Sequence, residues 1–277
     1  MSGIDINYNA AATNSSDNLN VTSNALSQVV SQLSSGLQVQ TAADNPAAYV
    51  IGQYLKEEGN GYTQAISNVQ SAVSLLQTAQ GALGQEASIL QTMNTLATQV
   101  ANGGVQSANT LAASQAQFAS LQAELDQIAS STNFGGTSLL NGSYTGQTFQ
   151  VGPYATASNQ ITLSIASASS ATLFGTTGPS VSTATAAAAA MTAVQTAIST
   201  VALQAANIGA TQNQMTSLSS NLVTAQENIQ AAHANLVDVN VAQATTQFAS
   251  LQILEQAGVS VLSQAQHLPS LAQKLLQ

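Results

Sequence analysis

Apolar residues recur at steps of three, four and seven along two blocks of the chain, and the stretch between the blocks lacks this spacing. The spacing places the apolar side chains on one stripe of a helix, as in coiled coils and long bundles. In the first block the stripe contains Leu26, Val30, Leu33, Leu37, Ile66, Val69, Val73, Leu76, Leu83 and Leu90. In the second block it contains Ile208, Met215, Leu222, Ile229, Leu236, Phe248, Leu251, Leu254, Val261 and Leu262.

We call these twenty residues the seam. We predict that they lie in helix–helix contacts, either within the bundle of one chain or between copies of the chain. Leu76, Leu83 and Leu90 are seven residues apart, so one seam position lies within each step. We assign these two positions to Gln80 and Ala87.

Residues that disfavour helix interrupt the spacing at three places. Pro46 biases Asn45 away from the helical region, which predicts a joint between two helices there. Gly103 and Gly104 are suited to the end of a long helix. Pro269 predicts a break near the end of the chain, because proline removes a backbone donor from the helix.

The central stretch, about 132 to 184, is rich in Gly, Ser and Thr and contains turn pairs such as Asn141-Gly142. Residues 148–151 and 161–165 alternate apolar and polar side chains, as short half-exposed strands do. A region of this size holds only a few strands. It lets the chain reverse, so that the two helical blocks can run antiparallel.

The predicted fold is mainly α: an elongated antiparallel helical bundle or coiled coil with a small β-hairpin region in the middle of the chain. We predict an N-terminal helix over 1–45, bundle helices over 46–135 and a small β region over 136–185. A returning bundle helix over 186–235 and a C-terminal helix over 236–277 complete the chain. The two terminal segments carry more apolar surface than one helix pair can hide, which favours a homopolymer.

Charged residues make up only 5% of the chain, against about 25% in a typical soluble domain. The net charge is −9, and the two cations, Lys56 and Lys274, are far apart in the sequence. Nucleic-acid binding needs several clustered cations, so we expect no nucleic-acid partner. We also expect no membrane insertion, because we find no sufficiently long apolar segment and the alanine-rich run 184–194 is too short to span a bilayer.

Amide and hydroxyl residues occupy the positions where charged residues are usual. Around pH 3 most exposed carboxylates are close to neutral and ion pairs fail, whereas hydrogen bonds of Gln and Asn do not titrate. One interpretation is that the protein works in an acidic medium. The others are drift within a lineage and a surface covered by glycans, and the sequence leaves the choice open.

The sequence offers no arrangement that predicts catalysis, a cofactor or a metal site. The histidines, His233 and His267, lie 34 positions apart and belong to no His-Glu-x-x-His pattern. No Gly-x-Ser-x-Gly or Gly-x-x-x-x-Gly-Lys motif is present, and there is no cysteine. We therefore expect a protein that is not an enzyme.

Motifs along both helical blocks resemble those of bacterial flagellins, in the order of that family. The amino-terminal motifs are Leu33-Ser34-Ser35-Gly36-Leu37, the stretch 42–48 and the stretch 77–83. Those around the β region are 134–136, 139–142 and 149–152, and those of the returning block are 208–214, 221–222, 227–228 and 252–269. Gln38 and Gln214 depart from the family, which usually has arginine at both positions.

The resemblance implies a structural subunit that self-polymerises into the flagellar filament for swimming motility. The terminal segments 1–45 and 236–277 would form the helical pair called D0. Segments 46–135 and 186–235 would form the surrounding bundle called D1. Only about 143–190 is available for outer domains, so these should be absent or reduced.

The resemblance also implies how the subunit reaches its place outside the cell. Flagellins are exported through the flagellar channel without a cleaved signal peptide, and the family's partners are an export chaperone, a cap protein and junction proteins. Two alternatives remain: a hook–filament junction protein, which shares the terminal architecture, and a secreted coiled-coil effector. Self-assembly into long tubes distinguishes a flagellin from both.

Overall fold

The computed structural model describes residues 9–275 of the 277-residue chain, and 76% of the chain is helical. The helices are α1 (Ala10–Ser35), α2 (Pro46–Ala101), α3 (Ala108–Ser131), α4 (Ser170–Phe174), α5 (Ala184–Val237) and α6 (Val241–Leu275). The strands are β1 (Asn133–Phe134), β2 (Thr137–Ser138), β3 (Gln147–Gln150) and β4 (Gln160–Leu163). The predicted mainly α fold with a small central β region is confirmed.

The chain divides into two compact units, and helices α2 and α5 contribute to both. Within the described residues, the terminal unit comprises 9–57 and 228–275. The bundle unit comprises Glu58–Glu227. Helices α1 and α6 therefore belong to one unit, and the central β region belongs to the other.

In the terminal unit, α1 and α6 pack against each other along their length. Asn9 begins α1: its Oδ1 accepts the Ala12 N–H at 3.1 Å, and its Nδ2 donates to the Ala265 carbonyl at 2.8 Å. The helix ends at Gly36, which has φ 74°, a left-handed conformation that favours glycine. Because the start of α1 contacts the far part of α6, the two helices run antiparallel.

The joints that follow α1 and α5 lie side by side in the terminal unit. Leu37 and Asp238 form an antiparallel bridge, and the Gln38 N–H donates to the Val237 carbonyl at 2.7 Å. Val237 is buried in a small cluster with Val39 and Ala48. A Cβ added to Gly52 would lie 2.7 Å from Val237 Cγ2, so the glycine allows this close approach of α2.

The loop before α2 is held by one carboxylate. Asp44 Oδ2 accepts the N–H groups of Gln40 at 3.1 Å and Thr41 at 2.9 Å, and the Thr41 hydroxyl at 3.1 Å. These hydrogen bonds, the one from the Thr41 backbone above all, hold the pKa of Asp44 below its usual value.

The bundle unit has one large apolar core formed by α2, α3, α5 and the β region. Thr63 on α2 accepts a 2.6 Å hydrogen bond from Gln226 on α5. At the other end of α2, a Cβ on Gly103 would lie 2.8 Å from the Cβ of Ala184. These two pairs show that α2 and α5 run antiparallel in this unit, as the sequence predicted.

The β region consists of two antiparallel pairs. Strands β1 and β2 flank a turn at Gly135 and Gly136, both with positive φ, as two-residue hairpin turns require. Strands β3 and β4 pair with Gln147 opposite Leu163, close to the stretches 148–151 and 161–165 predicted as strands.

Helix α4 was not predicted from the sequence. It has only five residues, too few to show a helical period. Its start is held by Asp126 from α3, whose Oδ1 accepts the Ser170 N–H at 2.8 Å and whose Oδ2 accepts the Ser170 hydroxyl at 2.7 Å. A contact between residues 44 positions apart cannot be read from local sequence.

Two expectations from the sequence are wrong. Helix α5 is long and apolar enough to cross a membrane by length and composition, although we found no such segment, because we considered only the alanine-rich run 184–194. Core helices of soluble proteins pass the same test, and α5 buries Val194 and Val201 in the bundle core. Helix α6 continues past Pro269, because proline has a helical φ and removes only one backbone bond from this 35-residue helix.

Leu83→Ala tests the bundle core. Leu83 is fully buried, so we expect the free energy of unfolding of the monomer to fall by about 2–5 kcal/mol through lost burial and a residual cavity. Leu203→Ala is the control, because Leu203 is 67% exposed on α5, and its effect should stay within about 0.5 kcal/mol. Urea unfolding followed by circular dichroism measures both, and equal effects would contradict this placement of the core.

Asp44→Ala tests the loop before α2. We expect faster hydrogen exchange at the amides of Gln40 and Thr41, while the corresponding Asp17→Ala on α1 leaves them unchanged. Because the pKa of Asp44 is lowered in the folded state, its hydrogen bonds are present above the unfolded pKa and are lost as pH falls through the folded one. Exchange rates in the native chain that stay constant as Asp44 is protonated would contradict this account.

Candidate assembly surface

The seam residues of the bundle unit lie in its core. Seven are buried: Val69, Leu76, Leu83, Leu90, Ile208, Met215 and Leu222. The other two, Ile66 and Val73, are half-buried and pack against the same core. All nine residues stabilise the core of one chain, and the seven buried ones are not available to another copy.

The core positions before and after Leu83 differ from the two that we predicted. The buried residues that follow Leu76 and Leu83 are Ala79 and Glu86, whereas Gln80 is exposed and Ala87 is half-buried. The steps along α2 are therefore three and then four, and our assignment of Gln80 and Ala87 is one residue too late. Glu86 is a buried acid that the sequence analysis missed, although its position three residues after Leu83 could have indicated it.

The seam residues of the terminal unit are less covered. Those that are half-buried are Leu26, Leu33, Leu37, Ile229, Leu236, Phe248, Leu251 and Leu262. Those that are exposed are Val30, Leu254 and Val261. No seam residue of this unit is buried, because a pair of helices covers only one side of each member.

Further exposed apolar residues lie outside the seam. Among the described residues, ten of the thirteen exposed large hydrophobic side chains belong to the terminal unit. We call these ten the exposed apolar set: Val21, Val30, Val50, Ile51, Tyr54, Val241, Ile253, Leu254, Val259 and Val261. Most of them lie outside the heptad stripe that defined the seam. The adjacent apolar residues Ile253 and Leu254 could have indicated a second apolar side of α6.

The members of the exposed apolar set on α6 have few charged neighbours. Between the start of α6 and residue 267, the only charged residue is Glu255. The exposed polar residues there are mainly Gln, Ser and Thr. Amides and hydroxyls lose less hydration free energy than charges when covered, so the surface is suited to burial against protein. Exposed apolar residues concentrated in this way mark interaction sites.

A cavity described in the terminal unit offers no catalytic arrangement. In the terminal unit, a cavity of about 210 Å³ is lined by amides, including Gln28, Gln32, Gln243 and Gln247, and by small apolar side chains. Amides supply neither a general acid nor a general base near neutral pH. Within residues 9–275, no group of three or more His, Cys, Asp or Glu could hold a metal ion.

Comparisons with known proteins identify the family. Residues 6–145 match the model of the bacterial flagellin N-terminal helical region, and residues 191–277 match that of the C-terminal helical region. Over 98% of its length the chain is 33% identical to a flagellin of Bacillus subtilis, of which it covers 99%. Over the same share it is 32% identical to a flagellin of Halalkalibacterium halodurans, again covering 99% of that protein.

Solved structures agree. The crystal structure of Bacillus cereus flagellin is 30% identical and matches with a TM-score of 0.51 over 56% of this chain and 88% of that one. A flagellar hook-associated protein from Vibrio parahaemolyticus, 13% identical, matches with a TM-score of 0.58 over 70% of this chain and all of that one, which shows the fold alone. Flagellins are structural proteins, consistent with a chain that is not an enzyme. The chain belongs to the bacterial flagellin family and is a subunit of the extracellular flagellar filament.

Proposed function

We propose that copies of this chain polymerise by burying the exposed apolar set of the terminal unit against one another. The observation that supports this most directly is the difference between the two units. Seven of the nine seam residues of the bundle unit are buried within one chain, whereas none in the terminal unit is. The same contacts complete the burial of the half-buried seam residues, such as Leu33 and Leu251.

The free energy available for this assembly is large. Fully burying one Val, Leu or Ile side chain contributes about 1.5–3 kcal/mol. The exposed apolar set supplies nine such side chains and Tyr54 per copy, each already partly covered in the single chain. The low charge of α6 keeps the cost of removing water small, because between the start of the helix and residue 267 only Glu255 must lose hydration or remain at the edge of the contact.

On this proposal the segments 1–45 and 236–277 form the inner helices of the filament. Segments 46–135 and 186–235, with the β region 136–185, form the bundle around them. The tube then transmits torque because the inner helices of each copy are buried by several neighbours. Family membership supports this arrangement.

The same surface accounts for the partners that the family implies. A subunit awaiting export exposes apolar side chains at the cellular protein concentration and would aggregate unless they were covered. We propose that an export chaperone covers the helices of the terminal unit before secretion. Cap and junction proteins at the filament ends would meet the same surfaces, left open where a neighbouring copy is missing.

Leu254→Asp tests the assembly surface. Leu254 is 54% exposed in the single chain, so the variant should fold with the wild-type helix content. It should fail to polymerise, because assembly would bury an unpaired carboxylate. Gln117→Asp adds the same charge at an exposed position of α3, a helix that carries no member of the exposed apolar set, so this control should still assemble. Sedimentation at pH 7 measures both, and normal filaments from Leu254→Asp would rule out this surface.

Reassembly of the purified chain separates a filament subunit from a junction protein. After heat dissociation and slow cooling, we expect long uniform tubes in negative-stain electron microscopy. A junction protein would form short layers, because its copies contact one another in only a few rings. An effector would form no polymer. Only short rings or monomers, under conditions where Bacillus subtilis flagellin forms tubes, would argue against the proposal.

A further inference from the structure

Glu86 occupies a core position of the bundle unit. It lies on α2 three residues after Leu83 and four before Leu90, in the same register as the buried residues on both sides. Its side chain is 0% exposed. Neither carboxylate oxygen has a hydrogen-bond partner. An ionised carboxylate in such a place is costly unless it is paired.

The bundle unit contains no cation that could pair with Glu86. Residues 58–227 include no Lys, Arg or His, and the other acids are Glu58, Glu124, Asp126 and Glu227. From 127 to 226, a range that includes the β region and most of α5, there is no charged residue. Of the acids on α3, both Glu124 and Asp126 are exposed, and Asp126 binds Ser170. The unit's other titratable groups are the tyrosines Tyr62, Tyr144 and Tyr154.

The buried polar side chain of α5 that lies near the level of Glu86 also has an unsatisfied acceptor. The pairs Thr63–Gln226 and Gly103–Ala184 set the register of the antiparallel helices, which places Gln204 within about one turn of Glu86 along the bundle. Gln204 is buried and donates from Nε2 to the Ala166 carbonyl at 2.7 Å, and its Oε1 has no partner. A protonated carboxyl brings an O–H donor to this core, whereas an ionised one adds only acceptors.

We propose that Glu86 makes the bundle unit an acid-stabilised structure, which folds with this side chain protonated and loses stability when an alkaline medium ionises it. The chain thereby carries a pH-sensitive element inside one subunit. This element is separate from the contacts between subunits, because Glu86 is inaccessible to any neighbouring copy.

The direction of the effect follows from proton linkage. Burial raises the pKa of Glu86 from its usual value of 4.5 to about 8. Between these two values the folded chain holds a proton that the unfolded chain has released. Stability is therefore highest below the unfolded pKa and falls as pH rises to the folded one, with the unfolding constant changing by up to about tenfold per pH unit.

The test compares the pH dependence of unfolding in three full-length chains. Urea unfolding of the monomer is followed by circular dichroism from pH 5 to 9 for the native chain, Glu86→Gln and Glu124→Gln. We expect the unfolding constant of the native chain to rise by several-fold per pH unit between pH 5 and 8. In Glu86→Gln most of this rise should be lost, and in Glu124→Gln, an exposed acid of the same unit, it should be retained.

Equal pH dependence in the native chain and in Glu86→Gln would overturn the proposal. If Glu86→Gln does not fold, Glu86→Met replaces it, because an unbranched apolar side chain of similar length suits the core. A carboxyl-carbon NMR titration of the native chain gives an independent answer. A midpoint for Glu86 well above 6 supports the proposal, and a midpoint near its usual value overturns it.

Discussion

The structure depends on burying apolar side chains that cover more of each helix surface than a single helix pair can hide. In the bundle unit three helices and the β region meet, so residues such as Leu83 and Met215 become inaccessible to water. In the terminal unit α1 and α6 have only each other and the nearby ends of α2 and α5, and large apolar side chains remain exposed. The same physical rule thus produces a stable core in one unit and an incomplete one in the other. A polymer is the arrangement that completes it.

The scarcity of charge acts on assembly and on folding in different ways. On the surface, amides replace ion pairs, so covering α6 with a neighbouring copy costs little desolvation. Inside the bundle unit, the absence of any cation leaves Glu86 without a partner. Asp44 and Glu86 then respond to pH with opposite signs, because hydrogen bonds favour the ionised form of the first and burial favours the neutral form of the second.

The sequence predicted features that repeat along the chain or depend on neighbouring residues. The period of the seam predicted the long helices, and the alternation before and after 155 predicted strands β3 and β4. Prediction from the sequence failed where contacts between distant residues determine the local structure. Helix α4 depends on Asp126, and the core position of Glu86 depends on a step of three rather than four. Steps of seven fit both registers, so periodicity could not distinguish Glu86 from Ala87.

By itself the sequence determined the helical class, the antiparallel return of the chain and the motifs of the family, because these follow from local periodicity, turn residues and short patterns. Only the tertiary structure decided which seam residues are buried within one chain and which remain accessible to a neighbouring copy. That division depends on how many helices surround each stripe, a property of the packed chain that no single stretch of sequence contains. It also decided that Glu86 is buried, since an acid on α2 becomes a core residue only when α3 and α5 close around it.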